Sequence, residues 1–245
     1  MAYIKIEQLS ISVENKEILH NVDLELNSGQ IAFLLGRNGA GKSSFAQTVM
    51  GNPWYTRTNG RIIISNDEEI NIIDLNPEDR SKLGLFVSFQ NPPEIEGISM
   101  ISYLHTIYVE KFGNEDVLSR STFKFRKHIL KLLERVGLPQ NFLERSLNIG
   151  FSGGEKKRSE ILQILLLKPS VIILDEIDSG LDVHSMKMLN EVVNEATSEG
   201  AIVLYISHNV EFIKSFVNPY IFILDKGSIT SRGSLEVLEK FISNE

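Results

Sequence analysis

The sequence predicts an α/β chain: a phosphate-loop core on a mixed sheet, an N-terminal antiparallel β lobe and an inserted helical lobe. Three observations predict it. An apolar run, Ile31–Leu35, ends in Gly36-Arg37-Asn38-Gly39-Ala40-Gly41-Lys42-Ser43-Ser44, and helical spacing follows through Met50. Two stretches of alternating polarity, 3–9 and 22–26, precede that run and read as half-buried antiparallel strands. Unbroken apolar runs at 171–174, 202–206 and 220–224 read as parallel strands covered on both faces. Helical patterns at about 183–198, 209–216 and 234–243 separate or follow them.

Taken in order, the β lobe continues after a turn at Asn27-Ser28-Gly29. Gly60 is expected to open a strand over 61–65, with a turn at Asn66-Asp67. Asn76-Pro77-Glu78-Asp79 is a helix start: a cap residue, proline at the first helical position and acids in the first turn. Residues 85–89 read as a strand ending in Gln90. Helical spacing then covers 101–112 and 123–136, with a polar link at 113–121. This places a helical lobe at 91–158 within one domain of 1–245, whose nucleotide-binding core is 1–90 and 159–245. There is no internal repeat and no low-complexity tract.

Composition narrows the functional classes. At 245 residues and 42% hydrophobic, the chain can bury one sizeable core. A formal net charge of -7 argues against a nucleic-acid partner or an anionic membrane surface. The cluster Lys156-Lys157-Arg158 is expected to be a solvated helix face. The stretch that comes closest, 162–167, is far too short to span a bilayer, so no direct membrane insertion and no targeting signal are expected. Without cysteine the chain can form neither disulfides nor thiolate metal sites, which suits a reducing compartment such as the cytoplasm, or the plastid stroma for a processed organellar form.

The glycine-rich segment fits G-x-x-x-x-G-K-[ST] between a strand and a helix, the context in which that pattern binds phosphate. Its glycines let the backbone curl so that successive N–H groups face inward, and the helix dipole adds a positive end. Lys42 supplies a point charge for the β and γ phosphates, and the Ser43 hydroxyl is a ligand for Mg²⁺. A chance match in a chain of this length is on the order of one in a hundred. Asp175-Glu176 ends the apolar run 171–174, where open α/β sheets place ligands. Asp175 is the expected Mg²⁺ holder, and Glu176 the group that polarises an attacking water. Ser152 precedes Gly153-Gly154-Glu155 as a helix N-cap.

Phosphate loop, Gln90, Ser152-Gly153-Gly154-Glu155, Asp175-Glu176, Ser179-Gly180-Leu181-Asp182 and His208 occur in the order of an ATP-binding cassette ATPase, and the resemblance covers the whole chain. It implies an ATP-binding cassette fold, ATP and Mg²⁺ as cofactors, and an ATP-dependent head-to-tail homodimer. In such a dimer Ser152, Gly153, Gly154 and Glu155 of one chain close over ATP held by the other. It also implies that Gln90 reaches the metal and that His208 holds the γ-phosphate edge and the attacking water. The remaining histidines, His20, His105, His128 and His184, are read as structural or surface residues. Three stretches, 89–97, 145–158 and 175–182, resemble the SufC branch, the ATPase of the Suf iron–sulfur cluster assembly system. That branch implies a SufB/SufD-type scaffold as partner, and a chain without cysteine would act on the cluster ligand instead of being it. One departure concerns the base: near Val13, where the family usually stacks an aromatic on adenine, there is none. The same core would serve a membrane transporter as its nucleotide-binding subunit, or act as a non-hydrolysing clamp, though the latter is disfavoured by intact Asp175, Glu176 and His208. Trp54 and Tyr55 suit either a partner contact or a partly buried edge of the β lobe.

Overall fold

The computed structural model describes residues 2–65 and 68–243. The chain divides into two compact units, one comprising Met1–Val87, Ser170–Glu176 and Glu195–Glu245, the other Ser88–Pro169 and Ile177–Asn194.

The first unit opens with the hairpin Tyr3–Val13 (β1) and Lys16–Asn27 (β2), turned by Glu14 and Asn15, both at positive φ. Ile31–Leu35 (β3) leads through the glycine-rich loop into Lys42–Met50 (α1). Thr56–Ser65 (β4), Glu69–Asn71 (β5), Pro77–Lys82 (α2) and Leu85–Val87 (β6) follow. The second unit holds Ile95–Ser99 (β7), Met100–Phe112 (α3), Thr122–Arg135 (α4), a 3-10 turn at Gln140–Glu144, Ser146–Leu147 (β8) and Gly153–Leu167 (α5). Val171–Asp175 (β9), Val183–Ser198 (α6), Ile202–Ile206 (β10), Val210–Lys214 (α7), Tyr220–Asp225 (β11), Ser228–Gly233 (β12) and Leu235–Ser243 (α8) complete the chain.

Two sheets build the first unit. The antiparallel sheet runs β2-β1-β4-β5, and the mixed sheet runs β12-β11-β3-β10-β9-β6, parallel except for β12 at its edge. Apolar side chains of the antiparallel sheet (Ile4, Ile6, Leu24, Leu26) join Phe45 and Val49 of α1 and Val171, Ile173 and Leu204 of the mixed sheet in one core. Phe33, Tyr205, Phe212 and Phe216 form a separate aromatic cluster, with Phe33 and Tyr205 stacked at 5.1 Å. Among the described residues no helix is long and apolar enough to cross a membrane.

Several local expectations need correction. The strand expected to open at Gly60 begins at Thr56, and Gly60 lies inside it at φ 91°, where a Cβ would run into the backbone of β1. It marks a slip in the β1–β4 register, so its glycine signals a bulge. The strand expected over 85–89 stops at Val87. The helix over 209–216 is shorter, Val210–Lys214, capped by the Asn209 side chain. The turn expected at Asn66-Asp67 lies outside the described residues. Lys156-Lys157-Arg158 is no free solvated face: Lys156 pairs with Glu94, Lys157 donates to the Ser179 carbonyl, and Arg158 donates to the carbonyls of Gly137 and Gly154. Trp54 is 78% exposed, whereas Tyr55 packs against the core.

Candidate functional site

Sheet register decides what the first unit assembles. β10 lies between β3 and β9, and Ile206 is level with Leu34 on one side and Asp175 on the other. The glycine-rich loop, Asp175-Glu176 and Ser207-His208 therefore leave three adjacent parallel strands at the same end, a ligand-binding position in open α/β sheets.

The loop is shaped by its glycines and held from outside. Gly36, Gly39 and Gly41 all have positive φ. A Cβ on Gly36 would strike the Leu224 carbonyl oxygen, and one on Gly41 would lie 2.8 Å from Leu19 Cδ2. Gly39 has open space, so only its φ of 80° calls for glycine. The Ala40 amide donates to the Arg37 carbonyl, and the Gly227 amide, from the β11–β12 turn, donates to the Ala40 carbonyl at 3.1 Å. Arg37, Asn38 and Gly39 are exposed, whereas Ser43 and Ser44 are half-buried in the first turn of α1. That helix has Gly41 at its N-cap without a side-chain cap, so its leading amides keep their donors for a ligand.

Lys42 is buried and its ammonium bridges the loop, donating to the carbonyls of Gly36 at 2.6 Å and Arg37 at 3.2 Å. Burial pulls its pKa down from the ordinary lysine value, and the charges of Glu176 and Asp175 oppose that pull. The Asp175 carboxyl is pushed up, chiefly by burial and then by Glu176, while its hydrogen bond with the Ser43 hydroxyl and the charge of Lys42 act the other way. A divalent cation would remove that burial penalty. A buried carboxylate with a serine hydroxyl beside it offers the hard oxygen ligands that Mg²⁺ takes. Among the described residues no three His, Cys, Asp or Glu side chains converge on one point.

Glu176 has φ 51°, a left-handed conformation uncommon for a side chain of this size. Its amide still donates to the Ile206 carbonyl at 2.9 Å, so the chain is held by β10 as it turns off the strand. Strain of this kind concentrates at functional sites. His208 Nε2 lies 3.7 Å from Glu176 Oε1, on a short link fixed by the Asn209 amide donating to Ser207 Oγ.

Gln90 and Ser152-Gly153-Gly154-Glu155 belong to the second unit. Ser152 caps α5 in a full capping box: its Oγ accepts from the Glu155 amide, and Glu155 Oε2 accepts from the Ser152 amide at 2.8 Å. Arg145 Nη1 donates to the other Glu155 oxygen at 2.9 Å, and these bonds draw the Glu155 pKa below the ordinary carboxylate value. Gly153 and Gly154 have room for a Cβ; their lack of side chains leaves the helix entrance open to another backbone. Of the remaining histidines, His105 stacks edge-on to Phe125, His20 faces Glu17, His128 is half-buried on α4 with its pKa lowered by burial, and His184 is exposed. Sequence reasoning missed Glu160, a buried acid in α5 whose Oε1 accepts from the Phe89 amide. Its signal was a charge among Ile161, Leu162 and Ile164.

The ABC transporter family profile matches residues 19–179, more than half of the chain. A probable ATP-dependent transporter of Cyanophora paradoxa, ycf16, is 37% identical over 237 residues, covering 97% of this chain and 90% of that one. A probable ABC transporter ATP-binding protein of Streptococcus pyogenes serotype M18 is 38% identical over 236 residues, 95% of this chain and 89% of that one. Among solved structures, the ATP-binding subunit of an ABC transporter superposes with a TM-score of 0.79 at 23% identity, covering 98% of this chain and 93% of that one. A dimeric cassette in a post-hydrolysis state bound to ADP and Pi gives 0.79 at 20% identity, covering 95% and 98%. The chain belongs to the ATP-binding cassette family: it is an ATPase that uses ATP and Mg²⁺.

Proposed function

We propose that the chain is a SufC-type ATPase, hydrolysing ATP in a head-to-tail dimer to change the conformation of a SufB/SufD-type scaffold during iron–sulfur cluster assembly. The observation that carries this reading is the 145–158 stretch. Most transporter cassettes have glutamine where this chain has Glu155, and here Glu155 bonds Arg145, Lys156 pairs with Glu94 in the Gln90 segment, and Arg158 reaches Gly137. The residues that set the SufC branch apart thus have structural work within the second unit. Absence of cysteine fits a chain that acts on a cluster-holding partner.

In this reading residues 1–245 work as one cassette, with a helical lobe at 91–158. The 36–44 loop and Lys42 hold the β and γ phosphates. Ser43 and Asp175 would hold Mg²⁺ and Gln90 would serve as a further ligand; the ion would supply neutralisation of phosphate charge. Glu176 takes a proton from the attacking water, and His208 orients that water and the γ-phosphate. Ser152 to Glu155 of the second chain close the site through the α5 N-terminus. The dimeric relative of known structure supports this arrangement by analogy.

Purification from cells under mild conditions tests the partner. A soluble scaffold retained with the chain supports the proposal, and an integral membrane pair overturns it. The second reading, a transporter subunit, is favoured by the names of relatives such as ycf16.

A further inference from the structure

Residues 88–94, between β6 and β7, adopt no regular structure, so no sheet ladder fixes their backbone. Gln90 sits in this segment. Contacts tie it to 148–160. The Phe89 amide donates to Glu160 Oε1 at 2.6 Å, Asn148 Nδ2 donates to the Pro93 carbonyl at 2.7 Å, and Lys156 Nζ lies 2.8 Å from Glu94 Oε1. Lys156 and Glu160 stand on α5, the helix whose N-terminus Ser152 caps, and Asn148 lies four residues before that cap.

The Glu160 bond differs from the other two. Its side chain is on the buried face of α5, only 4% exposed, with Ile161 and Ile164 beside it. A carboxyl is costly to bury, and an apolar residue would fill the space as well. Phe89 itself is 47% exposed, so its side chain is only partly packed. What the Glu160 carboxyl accepts from is the backbone amide next to Gln90.

We propose that Glu160 is a positioning residue for ATP turnover, holding the Phe89 amide so that Gln90 is presented from the same piece of structure that carries the Ser152 helix cap. The groups facing its carboxyl are the Phe89 amide, Tyr103 on α3, and Lys157 on α5 itself. Burial pushes Glu160 up to about 8, so at neutral pH it is largely the uncharged acid, with a carbonyl oxygen for the amide. Glutamine supplies the same oxygen and leucine does not. The inference rests on the metal role proposed for Gln90.

The test uses the full chain with ATP and Mg²⁺. Glu160→Leu should lower kcat by about tenfold or more, because small displacements at a reacting centre carry large rate penalties. It should also raise the Mg²⁺ concentration for half-maximal rate several-fold, while KM for ATP stays within about twofold. Hydrogen–deuterium exchange at the Phe89 amide should accelerate. Glu160→Gln should restore rate, Mg²⁺ requirement and exchange protection. Parental turnover and Mg²⁺ requirement in Glu160→Leu overturn the proposal. So does equal damage in both variants with equally lowered unfolding midpoints, which marks a packing role. Gln90→Ala separates this from the underlying reading: if it leaves turnover and Mg²⁺ requirement intact, the metal role of Gln90 falls and the proposal with it. If Gln90→Ala is damaged while Glu160→Leu is not, only the positioning role is refuted.

Discussion

Arg80 is a side chain whose replacement should weaken the phosphate-loop unit. It is 2% exposed and comes from α2, yet its guanidinium reaches back to the end of α1. Nη1 donates to the carbonyls of Thr48 and Val49 at 2.9 and 2.7 Å, Nη2 to Ile73 at 2.6 Å and Nε to Leu75 at 2.8 Å. α1 has no basic residue in its own last turn, so Arg80 supplies the positive charge that its C-terminal carbonyls favour. Charged hydrogen bonds contribute about 1.5–3 kcal/mol each, but burying a guanidinium offsets several kcal/mol of the total. Arg80→Met keeps an unbranched stem and strands buried carbonyls, so a net loss of about 3–5 kcal/mol is expected. For a chain of this size that lowers the thermal midpoint by roughly 6–20 °C. Arg80→Lys, with one compact donor head, should fall between. Thermal unfolding followed by far-ultraviolet circular dichroism is the assay, because the only tryptophan, Trp54, is too exposed to report on the core. A shift below about 3 °C for Arg80→Met would refute the view that these carbonyls depend on Arg80.

Glu176→Gln should still bind ATP, lose about 10²-fold or more in turnover, and accumulate as an ATP-bound dimer on gel filtration; a parental rate excludes Glu176 as the base. Lys42→Ala and Ser152→Arg should each be inactive alone but recover up to about a quarter of parental activity when mixed, since half of randomly paired dimers hold one intact site; no trapped ATP in confirmed Glu176→Gln-background hybrids would rule out a site shared between chains. Val13→Tyr should tighten ATP binding, by at most about 1–3 kcal/mol from stacking; unchanged affinity by calorimetry means another residue covers the adenine. Burial raises Glu160 from its ordinary 4.5 to about 8, so between those values the folded chain keeps a proton that the unfolded chain has released. Stability should therefore fall as pH rises from about 4.5 to 8, and Glu160→Gln should flatten that part of the melting-temperature profile.

The phosphate loop was legible because its conformation is written into adjacent residues: glycines for left-handed φ, then Lys42 and Ser43 at the helix start. Helix starts at Asn76 and Ser152 were legible for the same reason, since a cap bonds an amide three residues away. Unbroken apolar runs foretold buried parallel strands, whereas the glycine at 60 does not by itself tell a bulge from a strand opening, because both use glycine. Strand order was not legible. Only the folded sheet inserts β10 between β3 and β9 and so brings Gly36, Asp175, Glu176 and His208 to one end. Nor could periodicity show that Arg80 closes α1 across about 30 residues, or that Glu160 holds the Phe89 amide across about 70. Local bonds depend on spacing along the chain, which a sequence displays. Long-range pairings depend on which apolar faces bury each other, and that is decided only when the whole chain packs.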